Sequence, residues 1–472
     1  MVFYGRPSKD CAPCRKRKTR CDLVPTGCSQ CRRAKITCHG YRTANELVFR
    51  DETRSTMQKV LASQRGSLLP STPQWSPDMS ARHAFLSLYA GTYSTDLASL
   101  QPLLEHAPPQ GYLQVSVDAV GLAFMAFMLN RQDLIPLAYQ RYLTAIRSLG
   151  TVVRSSMQAN HNLDSQPLSD VTLQCVLLLD LYEKMAYQHH RSSKSPGLLL
   201  SHVHGALSIV QSRPRGEFLN PTIQRLATQS LFAFTLSCGA AEIHIPEALV
   251  RLYRELCSYI QSIPWSMIGL LIRLINLRAD LREGKFDPID VVKRARDLYD
   301  ELSRRENQMP RFLWPQRRDA CETGAFDHYY DVYPNHQAVQ IFNLNRFHRL
   351  DAAEIIQKFE PSTEIAENIA QMTQAICASV PAIISPTARS HNSIPFSPLQ
   401  ILECSALLSP LYAAARNTQD PAMRDWILQT LMYMANSGVK LARSVAHVLM
   451  FEPLASQWAV FGIVGNYSVV GI

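Results

Sequence analysis

Six cysteines fall between residues 11 and 38 as Cys11-x2-Cys14-x6-Cys21-x6-Cys28-x2-Cys31-x6-Cys38, with arginines and lysines packed between them. Two intervening residues let both thiolates of a pair turn onto one metal, and six more make a short helix that returns a third sulfur to the same site. The three-cysteine unit occurs twice, from Cys11 to Cys21 and again from Cys28 to Cys38. Three thiolates do not complete a tetrahedral zinc site. Six give two zinc ions four ligands each only if two of the sulfurs bridge both metals. Six thiolates against two divalent cations leave a net negative charge, which suits the surrounding arginines and lysines. Too few apolar residues lie here to build a core, so metal binding is expected to supply most of the folding free energy, on the order of 10–16 kcal/mol per structural zinc.

Three other readings compete. Disulfides need an oxidising compartment, yet the first ten residues carry Arg6 and Lys9 and no apolar signal core. A one-metal zinc ribbon would leave two cysteines spare and would not explain the matched third cysteine of each unit. An ordinary solvated basic face would explain the charge but not the sulfur spacing.

The stretch resembles the fungal binuclear zinc cluster (C6-type) transcription factor family. The resemblance rests on the cysteine spacing at every interval, on the basic run Arg15-Lys16-Arg17-Lys18 after the second cysteine, and on Asp22 after the third. It departs from the family in its loop proline: Pro25 sits three residues before Cys28, where the family usually has proline two before the fourth cysteine. The resemblance implies two zinc ions bridged by the first and fourth cysteines, here Cys11 and Cys28. It also implies a helix after Cys14 that enters the major groove of double-stranded DNA and reads a CGG triplet, with Arg17 and Lys18 as base readers. Chemistry agrees, since Lys and Arg donors match the O6 and N7 acceptors of guanine. Arg15, Arg20, Arg32, Arg33 and Lys35 are the expected phosphate contacts, which set register and affinity without reading sequence.

The elements that carry this module belong to a chain of 472 residues, 46% hydrophobic and 18% charged, an ordinary globular composition. Residues 1–45 hold 11 Lys and Arg against 2 Asp and Glu, so they carry the whole excess of +9; the remaining 37 basic and 37 acidic residues cancel. A nucleic-acid face confined to the N-terminus, with a neutral body attached, follows from that distribution. The other cysteines, Cys175, Cys238, Cys257, Cys321, Cys377 and Cys404, have no metal spacing and read as small buried hydrophobes in a reducing cell.

Three segments are expected: the cluster module at 1–45, a linker at 46–80, and a large helical region at 81–472. After Cys38 the sequences Gly40-Tyr41-Arg42 and Phe49-Arg50-Asp51-Glu52 extend the resemblance to filamentous-fungal members of the family. Residues 44–65 suit a short helix, but Leu47, Met57, Val60 and Leu61 do not sustain a zipper. Residues 66–80, with Pro70, Pro73 and Pro77 among serines and threonines, read as an extended linker in which Thr72-Pro73 and Ser76-Pro77 are possible phosphorylation sites.

Beyond residue 81 the pattern is helical nearly throughout, giving a mainly α fold class. Asp287-Pro288-Ile289-Asp290 places a capping aspartate, a proline at the first helical position and an acid in the first turn. Val292, Ala295, Tyr299 and Leu302 follow at helical spacing, then Arg304-Arg305 at the C-terminal end, where the dipole favours cations. Similar apolar runs cover 119–129, 134–153, 171–187, 198–211, 223–236, 247–260, 265–281, 337–357, 364–384, 399–415, 423–435 and 438–450, with no alternating strand pattern of useful length between them. About 390 residues exceed what one core usually serves, so two helical subdomains or a layered array is expected. Asp170 to Glu247, with Leu177-Leu178-Leu179, Tyr182-Glu183 and His202-Val203-His204-Gly205-Ala206, resembles the fungal-specific transcription factor domain that often follows the cluster.

No phosphate-binding glycine loop, His-Glu-x-x-His motif or nucleophile elbow occurs, so an enzyme is not expected. His189-His190 and His202/His204 have no cysteine or carboxylate at ligand spacing and read as surface or core histidines. The acidic-aromatic segment from Asp319 to Tyr333 reads as a loop between helices, with coactivator contact as the alternative. Residues 120–129 are apolar but too short to span a bilayer, and the uncharged tail from Pro453 to Ile472 reads either as a buried last element or as a chain that stops short of a full domain. The combined expectation is a nuclear, zinc-dependent, sequence-specific regulator of transcription. A single half-site contact would be modest, so a homodimer or partner regulator is implied. By family analogy a secondary-metabolite gene cluster is a plausible target. A zinc-stabilised RNA-binding or structural module on a helical scaffold is the alternative.

Overall fold

The computed structural model describes residues 8–41, 75–94, 97, 100–108, 111–159, 169–187, 200–320, 324–452 and 454–464. The chain divides into two compact units, Met1–Gln74 and Trp75–Ile472. The described part of the first unit contains two short helices, α1 (Ala12–Arg17) and α2 (Ser29–Arg33). The residues 44–65 read as helical lie outside the described residues, as do Thr72 and Pro73.

The second unit is helical. It opens with α3 (Pro77–Ala84), whose first four residues lie inside the stretch read as linker. The reason is local: the Ser76 hydroxyl accepts from the Met79 amide at 3.3 Å, Pro77 occupies the first turn and Asp78 follows it. That is the same start signal as at Asp287-Pro288. The path continues as a π-helical stretch, Phe85–Tyr93, then α4 (Leu100–Glu105), α5 (Tyr112–Ala123), α6 (Ile135–Ala159), α7 (Asp170–Tyr187), α8 (Ser201–Ser212), α9 (Pro221–Ala240), α10 (Glu247–Leu256), α11 (Ile263–Glu283) and α12 (Pro288–Asn307). A two-stranded hairpin follows, β1 (Gln316–Asp319) and β2 (Tyr329–Val332). The chain then forms α13 (His336–Phe359), α14 (Thr363–Ala378), α15 (Pro381–Ile384), α16 (Pro398–Asn417), α17 (Pro421–Asn436), α18 (Lys440–Phe451) and α19 (Gln457–Val464). The mainly α class holds. Asp287 caps α12, its carboxylate accepting from the Ile289 amide at 3.3 Å.

One difference from the sequence reading has a plain cause. The hairpin replaces part of an expected loop, with Gln316 opposite Val332 and Asp319 opposite Tyr329 in antiparallel register. Its first strand, Gln316-Arg317-Arg318-Asp319, is exposed along its whole length and so carries no apolar alternation to read. Of the two arrangements expected, separate subdomains or one layered array, the structure shows one continuous apolar cluster from Ala81 to Val464.

That core is organised around helices buried on all sides. Every residue of α9 from Leu226 to Gly239 is buried, and so are most of α16 and α13. A helix without a wet face must satisfy its own polar side chains. In α9 the Thr228, Ser230, Thr235 and Ser237 hydroxyls each donate to the carbonyl four residues earlier, at 2.8, 2.7, 2.7 and 2.7 Å. Gly239 is the point where α19 meets α9: a Cβ there would lie 2.5 Å from the Trp458 ring. The last described helix is thus a buried element, with Trp458, Val460, Phe461 and Val464 in the core. It is anchored by Trp458 Nε1–H, which donates to Asp351 at 2.9 Å. Asp351 also pairs with Arg278, and Glu354 accepts from Arg278 at 2.7 Å and from Arg416 at 2.8 Å, so α11, α13, α16 and α19 share one charged knot. No described helix is long and apolar enough to cross a membrane.

Candidate metal centre

The two cysteine units form one repeated piece of backbone. Cys11 and Cys28 are the N-caps of α1 and α2, both extended, and each carbonyl accepts from the amide four residues on, Arg15 and Arg32, at 3.1 Å. Each helix then breaks at a lysine in the left-handed region, Lys18 with φ 53° and Lys35 with φ 54°. Past that break the Thr19 amide reaches the Cys14 carbonyl at 3.1 Å and the Ile36 amide reaches the Cys31 carbonyl at 3.0 Å. The left-handed step turns the chain back, which lets the third cysteine of each unit return to the first two.

The units are locked to each other by Asp22, whose carboxylate accepts from the Ser29 amide at 3.1 Å and from the Ser29 hydroxyl. An acid at the start of α2 is well placed for capping, and the hydrogen bonds from Ser29 hold its carboxyl below the usual carboxylate range. Between the units the chain turns through Val24-Pro25-Thr26-Gly27, closed by the Gly27 amide on the Val24 carbonyl at 2.9 Å. Gly27 has φ +111°, a conformation that side chains strain to adopt. Pro25 takes the second position of this turn, where its fixed φ is favoured, and that accommodates the shifted proline. Tyr41 packs against the cysteines and donates its hydroxyl to the Val24 carbonyl at 2.5 Å.

All six sulfurs converge. Cys11, Cys14, Cys21 and Cys28 place their Sγ atoms within 4.8 Å of one another, and so do Cys11, Cys28, Cys31 and Cys38. Cys11 and Cys28 belong to both groups. The closest separations are 3.7 Å for Cys11–Cys28, 3.6 Å for Cys11–Cys31 and 3.6 Å for Cys14–Cys28. A tetrahedron of sulfurs about 2.3 Å from a zinc ion has edges of about 3.8 Å, whereas a disulfide brings sulfurs to about 2.05 Å. The observed spacing suits sulfurs gathered around a metal rather than a disulfide, and all six cysteines are free thiols. Cys14–Cys28 falls within the first group, Cys11–Cys31 within the second, and Cys11–Cys28 within both.

Electrostatics point the same way. Burial is the largest influence on four of these thiols: it raises Cys11 and Cys14 and pushes Cys31 up to about 12. At Cys28 burial is outweighed by the Cys31 amide, which donates to its sulfur at 3.3 Å, and by neighbouring thiols, bringing it down to about 6. A pocket that crowds sulfurs together while desolvation resists their ionisation is one that a cation completes, because a coordinating thiol gives up its proton to the metal. The donor set and geometry fit bound metal at both groups.

The basic residues surround this centre on its outside. Lys16, Arg17, Lys18, Arg20, Arg32, Arg33 and Lys35 are exposed, whereas Arg15 is half-buried against the cluster. Arg17 is the last residue of α1 and Lys18 its C-cap. Of the other candidates, His189 and His190 lie outside the described residues. His202 does meet a carboxylate that sequence spacing did not reveal: its Nε2 lies 3.4 Å from Glu183 and 3.1 Å from the Tyr142 hydroxyl. Glu183 lies on α7 and His202 on α8, so only the packing of two helices joins them. Among the described residues only the cysteine groups gather three or more candidate ligands.

In the acidic-aromatic segment, Glu322 lies outside the described residues, while Tyr330 and Tyr333 are buried. Arg317 covers the Tyr329 ring at 3.7 Å and pairs with Asp331 at 3.3 Å. Comparison of the chain with protein-family models, with curated proteins and with solved structures gives no match.

Proposed function

We propose that this chain is a sequence-specific, DNA-binding regulator of transcription by RNA polymerase II that acts in the nucleus. Its N-terminal module holds two zinc ions bridged by Cys11 and Cys28. The observation that carries this reading is the pair of four-sulfur groups sharing those two residues, with exposed arginines and lysines on and just beyond the two helices that carry Cys14 and Cys31. Zinc supplies the folding free energy of a module with almost no other core, and the protein supplies the cations. Arg17 and Lys18, at the exposed end of α1, are assigned to the bases of a CGG-type half-site. Arg20, Arg32, Arg33 and Lys35 are assigned to phosphates, together with the half-buried Arg15. A contact this small calls for a second half-site, through a homodimer or a partner regulator, and for coactivators reached by the helical unit. Control of a secondary-metabolite gene cluster is the pathway suggested by family analogy.

The test is the salt dependence of binding by the zinc-loaded chain to duplex DNA carrying CGG. Neutralising about five phosphates gives a slope of log K against log salt near −4 to −5. Arg32→Ala, Arg33→Ala and Lys35→Ala should each reduce that slope by about one while leaving the preference among sequences unchanged. Equal affinity for single-stranded RNA, with the same slope, would refute the DNA reading.

A further inference from the structure

A cavity of about 450 Å³ lies in the helical unit where the C-terminal end of α12 meets α9, α11 and α13. Its wall is mostly apolar, with Phe232 from α9, Met267 from α11, Leu313 from the turn after α12, and Ile341 and Leu344 from α13. Its volume falls in the range of small-molecule sites, about 300–1,000 Å³. At about 30 Å³ per water-sized group it holds roughly fifteen such groups.

The charges at its mouth are unbalanced. Glu301, Arg304 and Arg305 line it, and Glu301 is already engaged by Arg273 at 2.9 Å. Arg305 is half-buried, and among the described residues its guanidinium has neither a hydrogen-bond acceptor nor an ion-pair partner; the same holds for the exposed Arg304. Burial outweighs the nearby Glu301 and lowers Arg305 from the usual arginine range, whereas Arg278 and Arg416, also desolvated, are raised by the carboxylates beside them. The helix dipole explains cations in the last turn of α12. It does not explain a half-buried guanidinium on the wall of a largely apolar cavity whose neighbouring carboxylate, Glu301, is hydrogen-bonded to Arg273 instead.

We propose that this cavity is a binding site for a small amphipathic carboxylate, its apolar body between α9, α11 and α13 and its carboxylate on Arg305. Arg304 at the rim adds charge, and a guanidinium fork suits a carboxylate in two-point contact. Apolar burial supplies affinity and the desolvated arginine selects the anion. This site is independent of the DNA reading, because it belongs to the helical unit and its occupancy is measured without DNA.

The experiment is calorimetric titration of the full zinc-loaded chain with decanoate and 2-naphthoate, and with decanol and 2-naphthalenemethanol as uncharged partners of the same shapes. At least one carboxylate is expected to bind at one per chain, tenfold or more tighter than its alcohol. Arg305→Gln should weaken the carboxylate at least tenfold and leave the alcohol unchanged. Ile263→Glu is a second variant, at a lining residue 54% exposed on the first turn of α11. It should weaken the carboxylate by placing a negative charge beside the arginines, with the melting temperature unchanged. The proposal is overturned if neither carboxylate binds, if acid and alcohol bind equally, or if Arg305→Gln leaves the carboxylate's affinity intact. It is also overturned if only an acidic, apolar peptide binds there, which would make the surface a protein contact.

Discussion

Replacing Cys28 with alanine removes one of the two sulfurs, the other being that of Cys11, that belong to both four-sulfur groups. Cys28 Sγ is fully buried, 3.7 Å from Cys11 and 3.6 Å from Cys14, and it accepts the Cys31 amide. In Cys28→Ala each group of four falls to three. Cys38→Ala is the matched control, since Cys38 belongs to the second group only and leaves Cys11, Cys14, Cys21 and Cys28 complete. The apolar cluster of this module consists of its cysteines and Tyr41, so no other core takes over. With a structural zinc contributing on the order of 10–16 kcal/mol, and a small domain's whole stability only about 5–15 kcal/mol, losing one ligand from both sites leaves residues 8–41 unfolded. Chains loaded with excess zinc, freed of unbound metal by gel filtration and assayed by elemental analysis should hold two ions in the wild type, one in Cys38→Ala and none in Cys28→Ala. Cobalt substitution should show the same order in its thiolate charge-transfer band. Equal metal content in the two variants would refute the sharing of Cys28 between sites.

Two further predictions concern the helical unit. Gly239→Ala directs a methyl group at the Trp458 ring, 2.5 Å away, and that ring is held by its hydrogen bond to Asp351; overpacking of this kind costs about 1–3 kcal/mol. A lower melting temperature is expected, and an unchanged one would contradict the close contact of α9 with α19. His348 is fully buried, neither ring nitrogen has a hydrogen-bond partner among the described residues, and burial holds it down to about 3 from its ordinary 6.5. Between those values the unfolded chain binds the extra proton, so this contribution is complete above the upper value and is lost as pH falls, by about 1.4 kcal/mol per pH unit. Denaturant unfolding of wild type and His348→Leu across pH 4 to 8 should show a stability difference that is constant above about 6.5 and shifts in favour of the variant below it. A difference independent of pH would mean that His348 titrates alike in both states.

The metal centre was legible because coordination is set by spacing. The tandem Cys-x2-Cys-x6-Cys units already require two shared sulfurs for two metals, and the structure shows Cys11 and Cys28 in both groups. Sequence left open which atoms make the turn between units. That depends on Gly27 at positive φ and on Tyr41 reaching back to Val24, contacts that only the folded chain forms. The helices were legible wherever apolar residues recur at helical spacing or a cap is spelled out, as at Asp287-Pro288. The hairpin was not, because four exposed polar residues carry no period. Whether the helices share one core was left open, because joining α11, α13, α16 and α19 depends on Arg278, Asp351, Glu354, Arg416 and Trp458 meeting across up to 180 residues of chain. The cavity escaped for the same reason: Arg304 and Arg305 read as helix-end cations, and nothing local reveals the apolar wall beside them.

The central claim is sequence-specific DNA recognition through α1, and selection of binding sites from randomised duplexes by the zinc-loaded full chain tests it most directly, with Lys18→Ala alongside. Enrichment of CGG, single or paired, that weakens in the variant is the predicted result. Zinc bound at two per chain with no sequence enriched would contradict it.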